Sequence, residues 1–314
     1  MASLSPLPSR FSGASPFLLL TLTPLFWSYN WIIGRGLHAE VPPMAMTFFR
    51  WFFAILILAP FAWPHVRREW PIVRKYWTTM FYLGAIGVGT HNALAYLGLN
   101  YTTATNALIL NSFIPVLIVA MSWLFLREPL SPVQLTGIAV SLSGVLAILS
   151  RGSLEALTTF RPNVGDILVI LSMSMWSIYT VCLRWRPPGL HMLTFLFTIA
   201  CIGDLCMLPL FLGEFVLGRH MVVTATNIGA LVSIGLFSSV VAYIFWNRGV
   251  ELVGANVAGL FIHLMPVFGV VLAWIFLDEQ LAPYHVAGIA LILTGIFITS
   301  RLGRRSVSAP AGID

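Results

Sequence analysis

One stretch of this sequence occurs twice. Residues 107–149 read ALILNSFIPVLIVAMSWLFLREPLSPVQLTGIAVSLSGVLAIL, and residues 258–300 read AGLFIHLMPVFGVVLAWIFLDEQLAPYHVAGIALILTGIFITS. They align without gaps, and fifteen of the forty-three positions are identical. Self-similarity at a fixed distance indicates an internal duplication. Each copy holds two apolar runs of about 20 residues, the length that a helix needs to cross a bilayer. The repeat therefore predicts a duplicated helical membrane protein.

The composition of the whole chain supports this prediction. Of 314 residues, 58% are hydrophobic and 9% are charged, and the mean hydropathy is +0.90. Soluble domains average roughly 45–50% apolar and about 25% charged residues. One soluble core of this size could not bury so much apolar surface. The composition excludes both a soluble enzyme and a disordered chain, which needs low hydrophobicity.

The charge and the cysteine content indicate which binding partners and cofactors to expect. The net charge is +6, but the basic residues are dispersed along the chain and flank apolar runs, as anchors at a membrane interface do. We therefore expect contact with a lipid bilayer and no nucleic-acid binding. The three cysteines fall inside apolar runs, without metal-ligand spacing or a disulfide framework. No GxxxxGK[ST] motif is present. We predict no metal and no cofactor.

Ten apolar runs are long enough to be membrane spans, and proline-containing turn signals separate them. The predicted spans are 16–33, 44–63, 77–99, 103–125, 132–150, 164–183, 191–212, 225–247, 254–276 and 283–301. With the N-terminus inside, inner segments hold twelve Lys and Arg residues and outer loops hold four, which predicts two cytoplasmic termini.

The spans divide the chain into two halves of five. Because five is odd, the second half should be inverted in the membrane relative to the first, an architecture found in many secondary transporters. A duplicated helical scaffold without transport is the alternative. The predicted parts are an N-terminal cytoplasmic tail (1–15), a first repeat (16–150), a second repeat (164–301) and a C-terminal cytoplasmic tail (302–314).

The best-conserved part of the duplication carries a family resemblance. LREPLSP at 126–132, followed by Gly137 and Gly144, recurs as LDEQLAP at 277–283, followed by Gly288 and Gly295. This doubled motif resembles the EamA signature of the drug/metabolite transporter superfamily, over about residues 16–301. Within that superfamily the chain is similar in overall character to the bacterial aromatic amino-acid exporters.

The resemblance implies ten helices in a basket around a central cavity, with the fifth and tenth outside it. It also implies export of amino acids or similar metabolites by alternating access. The expected fold is thus all-α and integral to the membrane, with ten transmembrane helices as two inverted five-helix repeats around a central cavity.

Helical spacing suggests which residues line such a cavity, because residues at i, i+4 and i+7 share one face of a helix. In the third span Asn92 and Tyr96 share a face, with Tyr82 beside it. Other candidates are Ser239, Tyr243 and Trp246 in the eighth span, Trp27 and Asn30 in the first, and Trp176 and Tyr179 in the sixth. Aromatic packing is the alternative for any one of them. Their recurrence in both halves favours a cavity.

Two prolines, Pro115 and Pro266, occupy corresponding places in the fourth and ninth spans. Proline removes a backbone donor and kinks a helix, and paired helix interruptions point to a substrate site. Asn111 and His263 lie on the same side as these prolines and are further candidates. A purely structural bend is the alternative, because proline is common in membrane helices.

Four ionisable side chains lie within the predicted spans, namely Arg50, His91, Asp204 and His263. Such groups are expensive in a membrane and are functional candidates. Arg50 could hold a substrate carboxylate while Asp204 receives an ammonium group. Alternatively the two could pair with each other, or Arg50 could extend outward to the interface. His91 is either a packing histidine or a proton carrier.

Small residues form a face on the fifth span (Gly137, Ser141 and Gly144) and again on the tenth (Gly288 and Gly295). Such faces permit close helix contact. They predict either packing within the chain or a homodimer.

These features predict a secondary transporter whose partner is a small-molecule substrate. We expect it to export aromatic and other neutral amino acids, such as threonine or methionine, across a bacterial inner membrane. Another small metabolite or drug, and a channel, are alternatives. Phosphate esters call for several buried basic groups, and only Arg50 qualifies. A membrane enzyme is disfavoured, because Asp204 is the one acidic residue clearly within a span and neither HExxH nor GxSxG occurs. Coupling to protons and facilitated diffusion both stay open.

Overall fold

A computed structural model describes residues 15–302 of the chain, except 38, 103–106, 108–109, 129–130, 154–162 and 278–281. The described residues form helices and connections, and no strand occurs among them. The α-helices are α1 (Pro16–Leu37), α2 (Pro43–Lys75), α3 (Trp77–Gly84), α4 (His91–Leu99), α5 (Ile114–Leu126), α6 (Pro132–Leu149), α7 (Val164–Cys182), α8 (Met192–Val216), α9 (Ala225–Ile234), α10 (Ala242–Val253), α11 (Ala255–Leu260), α12 (Leu264–Leu277) and α13 (Pro283–Phe297).

The all-helical membrane class predicted from the sequence is confirmed. Eight helical segments within the described residues are long and apolar enough to cross a membrane, and α5 is a shorter apolar helix. Turns of π-helix join α3 to α4 (Ala85–Thr90) and α9 to α10 (Gly235–Val241), and a third follows α13 (Ile298–Leu302). Apart from Ser15 and Leu302, the predicted tails lie outside the described residues.

Helix α2 is longer than the predicted span 44–63. It has 33 residues, which corresponds to about 50 Å at 1.5 Å per residue, against about 30 Å for the hydrocarbon core. Pro71, which follows the predicted span and is a turn signal in the sequence, lies inside this helix. The added turns bury Val66, Glu69 and Val73 along one stripe. Packing of that stripe outweighs the hydrogen bond that the proline removes.

Each repeat proline accompanies an interruption of its helical segment and lies at the start of the helix that follows. Pro115 is in the first turn of α5, and Pro266 is in the first turn of α12. The chain is irregular just before each, at Ser112 in the first half and in a 3₁₀ turn (Phe261–His263) in the second. A proline ring clashes with the carbonyl four residues earlier. The interruption therefore precedes each proline.

Helices α2 and α8 lie antiparallel, and each begins beside the end of the other. Near the end of α8, Oε2 of Glu214 accepts a hydrogen bond from the backbone N–H of Ala45 at 2.9 Å. Near the end of α2, Oε2 of Glu69 accepts one from the N–H of His191, which precedes α8, also at 2.9 Å. A carboxylate is favourable at a helix N-terminus, where amide donors lack helical partners. These reciprocal caps hold the two long helices together at both ends.

The small-residue faces of α6 and α13 pack against each other. A Cβ atom on Gly144 would lie 2.5 Å from the carbonyl oxygen of Gly288, and one on Gly137 would lie 2.8 Å from that of Gly295. Only glycine permits backbones to approach so closely. The packing predicted within the chain is thus observed at these faces, and the homodimer stays a prediction.

Candidate functional site

A cavity opens between α1, α2, α4, α7 and α10, beside the two helix interruptions. It collects side chains from both repeats. Its lining comprises Trp27, Asn30, Trp31, Arg50, His91, Asn92, Ala95, Tyr96, Leu99, Ala107, Asn111, Ile114, Val169, Ser172, Met173, Trp176, Ser238, Tyr243, Ile262 and Met265. Nine of the fourteen predicted site residues are in this set, namely Trp27, Asn30, Arg50, His91, Asn92, Tyr96, Asn111, Trp176 and Tyr243.

Arg50 is the charged centre of the cavity and is only 6% exposed. Its Nη1 donates to Oδ1 of Asn30 at 3.1 Å, and its Nη2 donates to Oδ1 of Asn92 at 2.6 Å. Asn92 is itself held by a hydrogen bond from Nδ2 to the carbonyl of Val88. Amide oxygens orient the guanidinium but carry no net charge. The positive charge therefore stays available to an anion.

An aromatic wall stands beside this charge. The rings of Trp27 and Trp176 meet edge to face with centroids 5.1 Å apart, and Tyr243 packs edge to face on Trp176 at 5.5 Å. Their polar atoms are satisfied by backbone, since Trp27 Nε1 donates to the carbonyl of Ser238 and the Tyr243 hydroxyl donates to that of Gly87. The rings are held in place, and such a wall suits flat, apolar groups.

His91 and Asn111 are further polar residues of the lining. Nδ1 of His91 lies 3.0 Å from the carbonyl oxygen of Ser172 and 2.9 Å from its hydroxyl, and the ring packs on Trp176. Asn111 Nδ2 lies 3.8 Å from the sulfur of Met265. These contacts tie residues of the first repeat to residues of the second across the cavity.

Five predicted site residues lie elsewhere. Tyr82 is 62% exposed on the outer surface of the bundle. It lies beside the face of Asn92 in an ideal helix, and the π segment between the two residues changes that angle. Trp246 and Tyr179 are fully buried behind the aromatic wall, where they donate to Thr180 and Asn247. Ser239 is fully buried beside the lining residue Ser238.

His263 is the fifth, and it has a packing role. It is 1% exposed, with Nδ1 2.7 Å from the Ser141 hydroxyl and Nε2 2.8 Å from the carbonyl oxygen of Ser112. That carbonyl belongs to the interruption before Pro115. A buried polar group needs partners, and here the histidine provides one for an irregular stretch of backbone.

Sequence reasoning missed several lining residues on α7. Val169, Ser172, Met173 and Trp176 follow the i, i+3, i+4, i+7 spacing of one helix face, so Trp176 was a signal for the other three. Trp31, near the end of the first predicted span, also lines the cavity. Met265 follows the 3₁₀ turn, and nothing in its local pattern marks it.

The paired π-helical turns were also missed. Ala85–Thr90 and Gly235–Val241 fall at corresponding places of the two repeats. Turns of this kind are rare and are frequent at functional sites. Here the first includes Gly87, whose carbonyl receives the Tyr243 hydroxyl, and the second includes Ser238. Residue types alone do not predict where a helix changes from α-helical to π-helical spacing.

Asp204, on α8, is not among the cavity-lining residues. The structure shows neither of the two alternatives to substrate binding. The Arg50 side chain is buried and does not extend to the interface, and no ion pair joins Arg50 to Asp204 within the described residues. The described residues contain no group of three or more His, Cys, Asp or Glu that could hold a metal ion.

Comparison with known proteins assigns a family to this architecture. The model of the EamA-like transporter family matches residues 14–150 and again 163–301. An uncharacterized transporter of Archaeoglobus fulgidus is 26% identical over 289 residues, which cover 90% of this chain and 96% of that protein. The uncharacterized transporter YyaM of Bacillus subtilis is 27% identical over 231 residues, 73% of this chain and 74% of its own.

Two further similarities concern substrate and fold. A probable terminal-alkyne amino-acid exporter of Streptantibioticus cattleyicolor is 26% identical over 73% of this chain and 75% of that protein. One solved crystal structure superposes with a TM-score of 0.77 over 95% of this chain and all of that one, at 20% identity. At that identity the superposition supports the fold alone.

Proposed function

The chain belongs to the EamA-like transporter family, and from this premise we propose that it is a secondary transporter that exports aromatic and other neutral amino acids by alternating access. The substrate carboxylate binds Arg50, and the apolar side chain rests against Trp27, Trp176 and Tyr243. A buried cation next to an aromatic wall is the single observation that carries this proposal.

The chemistry of Arg50 supports a carboxylate ligand. A planar guanidinium binds carboxylates through paired donors, and such charge-assisted hydrogen bonds are the strong ones. Asn30 and Asn92 fix the guanidinium without neutralising it. A carboxylate is thus the substrate group that interacts most strongly with Arg50 in this cavity. The similarity to a probable terminal-alkyne amino-acid exporter agrees with this chemistry.

Alternating access follows from the proposed architecture of ten spans in two inverted repeats. The family model matches the chain twice, and the antiparallel pair α2 and α8 is capped at its two ends by Glu69 and Glu214. An arrangement that is similar at its two ends can open at either one. We place the protein in a bacterial inner membrane with both termini in the cytoplasm, from the excess of basic residues in the inner segments.

A second candidate substrate is an apolar monocarboxylate without an amino group. Among the described lining residues no Asp or Glu is present to receive an ammonium group. In an amino acid that group would instead rest on an aromatic face, a weaker interaction of about 0.5–2 kcal/mol. Phosphate esters are disfavoured because Arg50 is the single Lys or Arg among the described lining residues.

The test is uptake into proteoliposomes of labelled tryptophan, threonine, 3-phenylpropionate and glucose 6-phosphate. We expect saturable tryptophan uptake that excess unlabelled tryptophan suppresses. Uptake of 3-phenylpropionate without tryptophan would replace the amino acid by the simpler acid. Uptake of the phosphate ester alone would show that the substrate class is wrong, and so would the absence of all four from folded protein.

A further inference from the structure

The side chain of Asp204 is buried and lacks a partner. It is 6% exposed, and its Oδ1 has no hydrogen-bond partner among the residues that the structure describes. The other buried carboxylates differ: Glu69 and Glu214 each accept from a helix N-terminus, and Asp166 accepts in the capping box of α7. A polar group buried without a partner is costly in a membrane.

Asp204 lies close to the Arg50 site. Its neighbour Gly203 packs directly on Val88, whose carbonyl holds Asn92, and Asn92 holds Arg50. The two side chains form no ion pair. A buried carboxyl group and a buried guanidinium are thus near each other without direct contact.

Few other ionisable groups face Asp204 from the elements that pack on α8. The ionisable group of α2 that faces Asp204 is Arg50, because His65 and Glu69 lie towards the other end of that helix. The one on α8 itself is Cys201. The π turn 85–90 has no titratable side chain, and Tyr82 of α3 is on the outer surface. The α10 groups are Tyr243, bound to Gly87, and the ion-paired Arg248 and Glu251.

We propose that Asp204 is a proton-binding site coupled to substrate through Arg50, so that substrate carboxylate and proton bind together. This inference rests on the proposed function. In the empty protein, Arg50 stabilises the negative charge of Asp204. A bound carboxylate neutralises Arg50, and Asp204 then takes up a proton from solution. By linkage, a proton on Asp204 favours the carboxylate on Arg50.

The sign of the coupling follows from which group of the substrate meets Arg50. The substrate carboxylate offsets the positive charge that stabilises ionised Asp204, so binding favours a proton on Asp204. With a zwitterionic amino acid, the loaded site then carries one more positive charge than the empty site. An antiporter would do the reverse and release a proton when substrate binds. With co-binding, net transport follows the sum of the substrate gradient and the proton electrochemical gradient, which includes the membrane potential. Export proceeds when the outward substrate gradient is the larger.

The first experiment measures protons. L-tryptophan is added to the detergent-solubilised full chain at pH 7 in weak buffer with a pH indicator, and binding is followed in parallel. We expect alkalinisation of the medium in the wild type and its loss in Asp204→Asn, with tryptophan binding retained. Glu214→Gln is the matched control, because it alters a buried carboxylate of the same helix that already has a partner. It should keep the proton uptake.

The second experiment separates coupling from movement. In proteoliposomes, an acidic exterior should accelerate net tryptophan uptake several-fold in the wild type. Asp204→Asn should lose this acceleration yet retain exchange of external for internal tryptophan. Asp204→Glu keeps a carboxyl group and should restore part of the response.

Each outcome decides the proposal. Proton release, or tryptophan binding without any proton change, overturns it in the wild type before any variant is needed. Proton uptake that persists in Asp204→Asn also overturns it. Tryptophan transport that ignores the pH gradient rejects the coupling and leaves the proposed function intact. Folded protein that neither binds nor transports tryptophan contradicts the proposed function itself.

Discussion

The two repeats contribute different chemistry to the same cavity. Residues of the first repeat supply its charge and all its amides, through Asn30, Arg50, Asn92 and Asn111. Residues of the second repeat supply Met173, Trp176, Tyr243, Ile262 and Met265, with hydroxyls as their polar groups. The polar side of the cavity, with its charge and amides, is therefore formed by the first repeat, which also supplies apolar residues such as Trp27. The side formed by the second repeat is largely apolar.

This difference contrasts with the parts that the repeats share. The glycine contacts between α6 and α13 use corresponding residues of both copies, and so do the prolines that open α5 and α12. The duplication is thus retained where helices pack. In the cavity it is retained for aromatic residues but not for the charge and the amides. Selection for packing acts alike on both copies, whereas an asymmetric substrate needs a different contact from each.

The strongest challenge to this comparison is removal of the charge on the polar side. Arg50→Gln should lower kcat/KM for tryptophan uptake by about 10- to 100-fold, because a hydrogen bond to a charged group contributes about 1.5–3 kcal/mol. Arg248→Gln, at an exposed ion pair, should transport normally. Equal uptake by Arg50→Gln and the wild type would remove Arg50 from the binding site.

The apolar side is tested by selectivity. Trp176→Leu should weaken tryptophan transport by about 3- to 10-fold, since aromatic contacts contribute about 0.5–1.5 kcal/mol beyond area, and it should leave threonine transport nearly unchanged. Trp274→Leu, on the exposed face of α12, is the control. A parallel loss for both substrates would mean that Trp176 supports the cavity and does not recognise the side chain.

The shared scaffold should respond alike in both copies. Gly144→Ala and Gly288→Ala each place a methyl group against a backbone carbonyl, and each should lower the free energy of unfolding by about 1–3 kcal/mol. Thermal unfolding in detergent measures this as a lower Tm. Gly213→Ala, where a Cβ meets no atom within 4 Å, should be neutral. Unequal losses in the two copies would break the proposed symmetry of the scaffold.

The smallest effect concerns the two ends of the α2 and α8 pair. Only the end capped by Glu69 has a stacked histidine pair among the described residues, His65 and His191, with centroids 4.0 Å apart. Partial burial beside α2, and then the neighbouring His65, hold the pKa of His191 below its usual range.

Because this pKa is lower in the folded state, the unfolded chain binds more protons as the pH falls below about 6.5. The contribution of His191 to the free energy of unfolding is therefore unchanged above that pH and becomes less favourable below it. We expect Tm to fall by a few degrees between pH 8 and pH 5.5, and by less in His65→Gln. An identical pH dependence in that variant would contradict a contribution from this pair.

Much of the site could be predicted from residue patterns. Arg50 could be identified because a charged side chain within a membrane span is energetically costly. Asn92, Tyr96 and Tyr243 could be identified from helical spacing and from repetition in the two halves. Tyr82 and Ser239 are not among the cavity-lining residues. One lies near a π turn and the other within one, where ideal helical spacing does not hold. His263 was assigned to the cavity because its face is correct, but Ser141 from another helix encloses it.

By itself the sequence determined the solvent and the scaffold: an apolar helical chain for a bilayer, duplicated, with small residues where backbones must meet. These properties are local or periodic, so composition and spacing carry them. The tertiary structure decided which partners the buried polar groups have. Arg50 is held by two amides, Asp204 is left unpartnered, and the small faces meet inside the chain. Such pairings depend on how distant helices lie side by side, and in a low-dielectric interior they fix where a charge can be bound.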